Sequence, residues 1–231
     1  TNFVTDGLLT CIDMANPGPK LTNNFSGPDK YYEDRSGNGN HAVRGTAGGY
    51  NTSPVFPGYW QNTNANGSLK FNLDSPATWT ISMLLERTGA VTGTLGRLAG
   101  TNGVIDRGEI ALGPSSNTVW VNPPKGGWMP LEVGSTSIEI IPGETAYLCV
   151  KFDRTTNASN VIGYKNGVKV VVTSASGSNE GGISGYTIGS RSDFNGEYLP
   201  MEVYHVTVHT KALTDEEVAQ NFEALRRRVN L

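Results

Sequence analysis

The stretch NVIGYKNGVKVVVT, Asn160 to Thr173, limits the fold more than any other in the chain. Asn166-Gly167 supplies the two positive-φ positions of a type I′ turn, and both flanks are rich in β-formers, so the segment predicts a two-residue hairpin. A hairpin of this kind commits its surroundings to antiparallel sheet.

The rest of the chain agrees with that commitment. GLLTCIDM reads as a strand. GSLKFNL alternates Leu69, Phe71 and Leu73 against polar neighbours, and TWTISMLLE puts Trp79, Ile81 and Met83 on one face. SIEIIPG and TAYLCVKFD follow, the latter with Ala146, Leu148, Val150 and Phe152 on a shared face. LPMEVYHVTVHT is read with Tyr204, Val206 and Val208 facing together. The 29 glycines and 12 prolines fit many turns between short strands. The stretch from Gly45 to Asn66 is the most irregular.

Only LTDEEVAQNFEALRRRV has helical period. Thr214 followed by Glu217 forms a capping box, and Val218, Phe222, Leu225 and Val229 make one apolar stripe. Early acids and the late run Arg226-Arg227-Arg228 suit the helix dipole, which accounts for the run without a nucleic-acid partner. The helix is expected on the rim or edge of a sheet. Many strands and one late helix predict an all-β chain, a single β-sandwich domain over residues 1–231.

Composition narrows the function classes. A formal charge of −3 argues against a nucleic-acid surface. The N-terminal residues lack the basic and long apolar regions of a signal peptide, and no stretch is long enough for a membrane span. Cys11 and Cys149 fall in separate strand-like runs and are expected as buried free thiols.

YYEDRSGNGNHA, Tyr31 to Ala42, imitates the first half of a calcium loop through Asp34, Ser36 and Asn38. The twelfth position, which needs a bidentate Glu, is Gly45, and Arg35 adds a positive charge, so a tight bend is expected and no metal. His205 and His209 share a strand face but lie four residues apart, too far for an easy shared ligand. The loop acids Asp106, Glu109 and Asp193 form no ligand set, and no cofactor is expected. No Gly-x-Ser-x-Gly elbow is present.

Several phrases carry a resemblance. GLLTCIDMANP, then YYEDRSGNGNHA, then FDRTTNASNVIGYKNGV, then IGSRSDFNGEYLPMEVYHVTVHTKALTDEEV come in the order seen in laminin-G-like domains of the concanavalin A-like lectin/glucanase superfamily. Asp34 to Asn40 looks like that family's D-x-S-G-N-G-N turn, and Tyr164 to Val168 like its Y-x-N-G-V hairpin. Lys211-Ala212-Leu213-Thr214 resembles its R-A-L-S lead into the last helix. The resemblance spans Gly7 to Phe222 and implies a jelly-roll sandwich of two antiparallel sheets. The version opening DGLLTCIDMANP is similar to modules of tailed-phage structural proteins. It implies a virion component, a head decoration, fibre or tail-associated module, made in the host cytoplasm without an export signal. Its implied partners are a capsid, fibre or tail protein and a cell-surface glycan, with a homo-oligomer among the options.

Glucanases of that superfamily place carboxylates as Glu-x-Asp-x-x-Glu on one strand. Glu197 and Glu202 have Leu199 in the middle place, and Glu139 and Glu144 have Ile141, with Pro142-Gly143 breaking the strand, so no catalytic residue is expected. A binding module needs an exposed aromatic platform. Trp128 in NPPKGGWMP comes first, then Tyr59 and Trp60 in FPGYWQN, with Asn62 to fix hydroxyls. Trp79 and Trp120 read as core.

Overall fold

The structure is a computed structural model that describes residues 2–15, 31–44, 59–62, 69–71, 78–91, 95–101, 108–113, 116–123, 129–133, 135–153, 158–176, 186–190, 197–229 and 231. Its strands are β1 (Leu8–Asp13), β2 (Tyr31–Tyr32), β3 (Ala42–Arg44), β4 (Trp60–Asn62), β5 (Leu69–Phe71), β6 (Thr78–Arg87), β7 (Gly96–Thr101), β8 (Glu109–Leu112) and β9 (Val119–Asn122). They continue as β10 (Met129–Pro130), β11 (Glu132–Val133), β12 (Thr136–Ser137), β13 (Thr145–Asp153), β14 (Ala158–Lys165), β15 (Val168–Ser176), β16 (Tyr186–Ile188) and β17 (Met201–His209). Helix α1 (Asp215–Leu225) follows, then a 3-10 turn at Arg226–Arg228.

The hairpin forms where the sequence puts it. Asn166 and Gly167 have φ of 51° and 78°, and β14 pairs antiparallel with β15 across them. Both large sheets are antiparallel. Sheet A runs β1-β17-β6-β13-β14-β15, with β4 on the other half of β17; sheet B runs β10-β9-β8-β7-β16-β5-β3-β2. β11 and β12 pair separately. The architecture is a β-sandwich with one short C-terminal helix.

The alternating apolar residues meet between the sheets. Trp79, Ile81, Met83 and Leu85 of β6 and Leu148, Val150 and Phe152 of β13 face Leu98, Ile110, Leu112, Val119, Val121 and Ile188 of sheet B. Trp79 and Phe152 stack at 4.9 Å, and the Trp79 indole donates to the Tyr186 hydroxyl across the layers at 2.5 Å. Burying such side chains stabilises the sandwich by about 1.5–3 kcal/mol each.

Strand β17 departs from the expected alternation. A bulge between Val203 and His205 shifts its register against β6, so Met201, Val203, Val206 and Val208 enter the core while Tyr204 turns outward. An extra residue on one strand inverts the side-chain phase beyond it. Period-2 counting put Tyr204 with Val206 and Val208, and it cannot see this inversion.

Helix α1 is capped as the sequence predicts. The Thr214 hydroxyl accepts from the Glu217 amide at 3.2 Å, and the Glu217 carboxylate accepts from the Thr214 amide at 2.9 Å. Its position differs from the rim that was expected. Val218 and Leu225 pack with Leu84, Tyr147 and Tyr164, residues of β6, β13 and β14, so the helix lies across the outer face of sheet A. The arginine run is a 3-10 turn, and Arg228 holds Asp13 with two bonds of 2.5 and 2.9 Å. No described helix is long and apolar enough to cross a membrane.

Candidate functional site

Asp34 organises a bend. Its Oδ1 accepts the amides of Cys11 and Ser36 at 2.8 and 2.9 Å; its Oδ2 accepts the Ser36 hydroxyl at 2.7 Å and the Asn40 amide at 2.9 Å. Four donors saturate this carboxylate, so its charge serves the loop's own N–H and O–H groups. Gly37 and Gly39, at φ of 88° and 77°, supply the left-handed positions, and Tyr31 stacks on His41 at 4.0 Å.

The aromatic residues chosen from the sequence have different fates. Trp60 and Asn62 are buried at 1% and 0% exposure, which corrects their reading as an accessible sugar platform. The Asn62 carboxamide donates to the carbonyls of Gly189 and Leu199 at 2.9 and 3.2 Å. A Cβ on Gly189 would lie 2.7 Å from the Trp60 ring, so that indole is packed against bare backbone. β4 is held on the edge of β17, which draws both side chains inward. Tyr59 is half-buried, edge-on to Tyr204 at 5.8 Å. Trp128, Asp106 and Asp193 lie outside the described residues.

The acids considered for hydrolysis separate. Glu202 contacts Gln61 and Tyr204 on sheet A, whereas Glu197 binds Arg97 of sheet B. Glu144 is tied to Lys165 and to the Ile141 amide, and Glu139 accepts from Ser137. A pair that reading along single strands missed is Glu86 with Glu202, opposite one another on β6 and β17. The Tyr204 hydroxyl lies 3.3 and 3.0 Å from the two carboxylates. Burial first, then these two acids, pushes the phenol well above its ordinary range.

Burial keeps both thiols, His205 and His209 neutral. Burial pushes Cys11 and Cys149 up to about 12 each. Cys149, Ser82, Thr207 and Cys11 form one cross-strand row, so three strand spacings of about 4.8 Å separate the cysteines, beyond disulfide reach. His205 Nε2 lies 3.5 Å from Cys11 Sγ, but burial holds the imidazole down to about 4. A thiol so high beside a base so low does not make a nucleophile.

A built polar arrangement stands on the outer face of sheet B. Val119 and Val121 enter the core, which sends Trp120 and Asn122 to the other side of β9. Pairing sets Arg97, Ala111, Trp120 and Pro130 in one row, with Glu109 opposite Asn122 in the next. Arg97 Nη1 bonds Glu109 at 2.7 Å, while its Nη2 and Nε hold Glu197 at 2.6 and 2.7 Å. Asn122 supports Glu109 at 3.4 Å. Arg97 and Glu109 are sealed at 1% and 0% exposure, whereas the Glu197 side chain keeps 16% and Trp120 is half-buried. The buried guanidinium thus fixes a carboxylate that keeps some solvent access on the same sheet face as half-buried Trp120, which stands two strands away across β8. A Cβ on Gly113 would lie 2.3 Å from Trp120 Nε1, so the missing side chain seats the indole. Reading Trp120 as core was the error. The signal was its alternation with Val119 and Val121, which places it opposite the core face.

No family model and no curated protein matches the chain. Solved structures do. The binding domain of botulinum neurotoxin DC in complex with rat synaptotagmin II superposes with a TM-score of 0.64 at 11% identity, over 96% of this chain and 52% of that one. The same binding domain in complex with SialylT gives 0.63 at 11%, over 96% and 52%. A botulinum neurotoxin type C structure, described by cell entry dependent on two ganglioside molecules, gives 0.64 at 11% over the same shares. The chain spans about half the length of these structures. It shares their β-sandwich fold.

Proposed function

We propose that this chain is a non-catalytic recognition module that binds a cell-surface glycan through the outer face of sheet B, with Trp120 as the stacking platform and Glu197 as the hydroxyl acceptor. The observation that carries this reading is Glu197, fixed by the buried Arg97, on the same sheet face as Trp120 two strands away. A sugar ring presents C–H bonds to an indole face and hydroxyls to a fixed acceptor, and both are offered here without reorganisation. The likeness to toxin binding domains solved in complex with SialylT and synaptotagmin II, and to a toxin whose cell entry depends on two ganglioside molecules, supports a recognition role at the level of fold. The non-catalytic part rests on the protonation pattern, with thiols up at about 12 and His205 down at about 4, and on the guanidinium held between Glu109 and Glu197.

Trp128, immediately before β10 in sequence, is proposed as a second aromatic contact; Tyr59 packs on Tyr204 of sheet A and stands apart from this face. The resemblance to tailed-phage modules supports the finer reading of one domain of a virion structural protein, docked on a capsid, fibre or tail protein. The test is a glycan array. Binding is expected with the wild-type chain and is expected to fall about tenfold or more on Trp120→Ala. Loss on Trp128→Ala with Trp120→Ala silent would move the site to that loop. No binding to any glycan, with co-purification of the chain and virus particles, would leave only the structural reading.

A further inference from the structure

The outer face of sheet A is unusually polar for a covered surface. Ser82, Thr207, Tyr147, His209 and Asn221 are each at most 1% exposed. Thr207 Oγ1 and His209 Nδ1 find no hydrogen-bond partner among the described residues. They belong to one neighbourhood. Ser82 and Thr207 are register partners, the Tyr147 hydroxyl faces Ser82 and Asn221, and Thr207 is two residues from His209. Buried polar groups gathered in this way suit ordered water.

One side of this neighbourhood is closed by the residues before β1. The Val4 amide donates to Asn221 Oδ1 at 2.8 Å, and the Val4 carbonyl lies 3.1 Å from His209 Nε2. Phe3 packs on His205 and His209 with ring centroids 5.4 and 6.1 Å away. A carbonyl only accepts, so Nε2 carries the imidazole proton and Nδ1 is bare. A second proton on His209 would put a charged donor into the polar pocket.

We propose that residues 2–6 form an acid-released latch on the outer face of sheet A, held shut by neutral His209 and His205. The charges around the two rings favour this behaviour. His209 is faced by Asp6 of the arm, Lys211, Glu217 of α1 and His205. Lys211 binds both Asp6 and Glu217, at 2.5 and 2.8 Å, so each acid already spends a carboxylate oxygen on a cation. His205 is faced by Cys11 and Asp13 of β1, Arg228 and His209. Arg228 occupies both oxygens of Asp13. Burial lowers both histidines below 6.5, His205 to about 4. A folded-state value below the released value means the closed state gains full stability above about 6.5 and loses it as pH falls toward the folded value.

The test is hydrogen–deuterium exchange of the full chain at pH 7 and pH 5, corrected for intrinsic rates. Protection of the Val4 amide is expected to fall at least about tenfold, while β6 and β13 keep theirs. His209→Gln keeps a neutral donor toward Val4 and is expected to cut that fall by about threefold or more. Phe3→Ala, a change at a half-buried position, is expected to lower Val4 protection already at pH 7. A wild-type arm whose protection is equal at both pH values would overturn the latch. So would a fall shared equally by β6 and β13, which is general unfolding, or an undiminished fall in His209→Gln.

Discussion

The backbone amide of Val4 donates to Asn221 Oδ1 at 2.8 Å, joining residues 217 positions apart. This bond ties the segment before the first strand to the buried face of α1, and the same Asn is one of the residues the helix buries. Its place on an otherwise apolar stripe is therefore structural. Asn221→Leu is expected to destabilise the chain by about 1–3 kcal/mol, since the buried Val4 amide loses its side-chain acceptor and a bulkier apolar group must fit under the helix. Urea unfolding measures this; an unchanged midpoint would remove Asn221 as a tie.

Asp34 gives a second prediction. Its removal orphans two amides of its own loop and that of Cys11 on the neighbouring strand. Asp34→Ala should cost about 3 kcal/mol or more, because hydrogen bonds to charged groups are the stronger kind. Calcium and chelator should leave the wild-type melting temperature alike; a calcium-dependent rise would restore the ion-binding reading of this loop.

Gly167 gives a third. Its φ of 78° excludes ordinary side chains, and a Cβ there would meet Phe222 of α1 at 2.9 Å. Gly167→Val should lower stability by about 2–3 kcal/mol through backbone strain and displacement of Phe222. Coupling should appear in a double-mutant cycle, with Phe222→Ala relieving part of the cost. Additive losses would show that the turn and the helix are independent.

Arg97 gives a fourth. Arg97→Met would leave Glu109 charged at 0% exposure. The expected loss is about 3–5 kcal/mol, as for other broken buried pairs. Arg97→Met with Glu109→Leu should recover most of it. If the double variant is no better than the single one, desolvated charge is not the cause.

The sequence was most informative where structure is local. Asn166-Gly167, the Thr214–Glu217 box and the Asp34 bend are each fixed by residues a few positions apart, and each formed as read. What depends on a partner strand was not legible. The β17 bulge exists only relative to β6, and the Glu86–Glu202 pair exists only through that register. Trp60 and Asn62 looked like loop residues because β4 is three residues long, and only its addition to β17 explains their burial. The Arg97 cluster draws Glu109 and Glu197 from sites 12 and 100 residues away in sequence, without any spacing a motif could capture.

Strand β17 lies between β1 and β6, so strands far apart in sequence are joined only through it. During synthesis the ribosome releases β1 long before its neighbour exists. Until β17 emerges, β1 has an unpaired edge and β6 lacks one flank, which leaves two ladders open to other chains. Assembly of this layer therefore waits on β17, and its two neighbours stay open to wrong pairing until it docks.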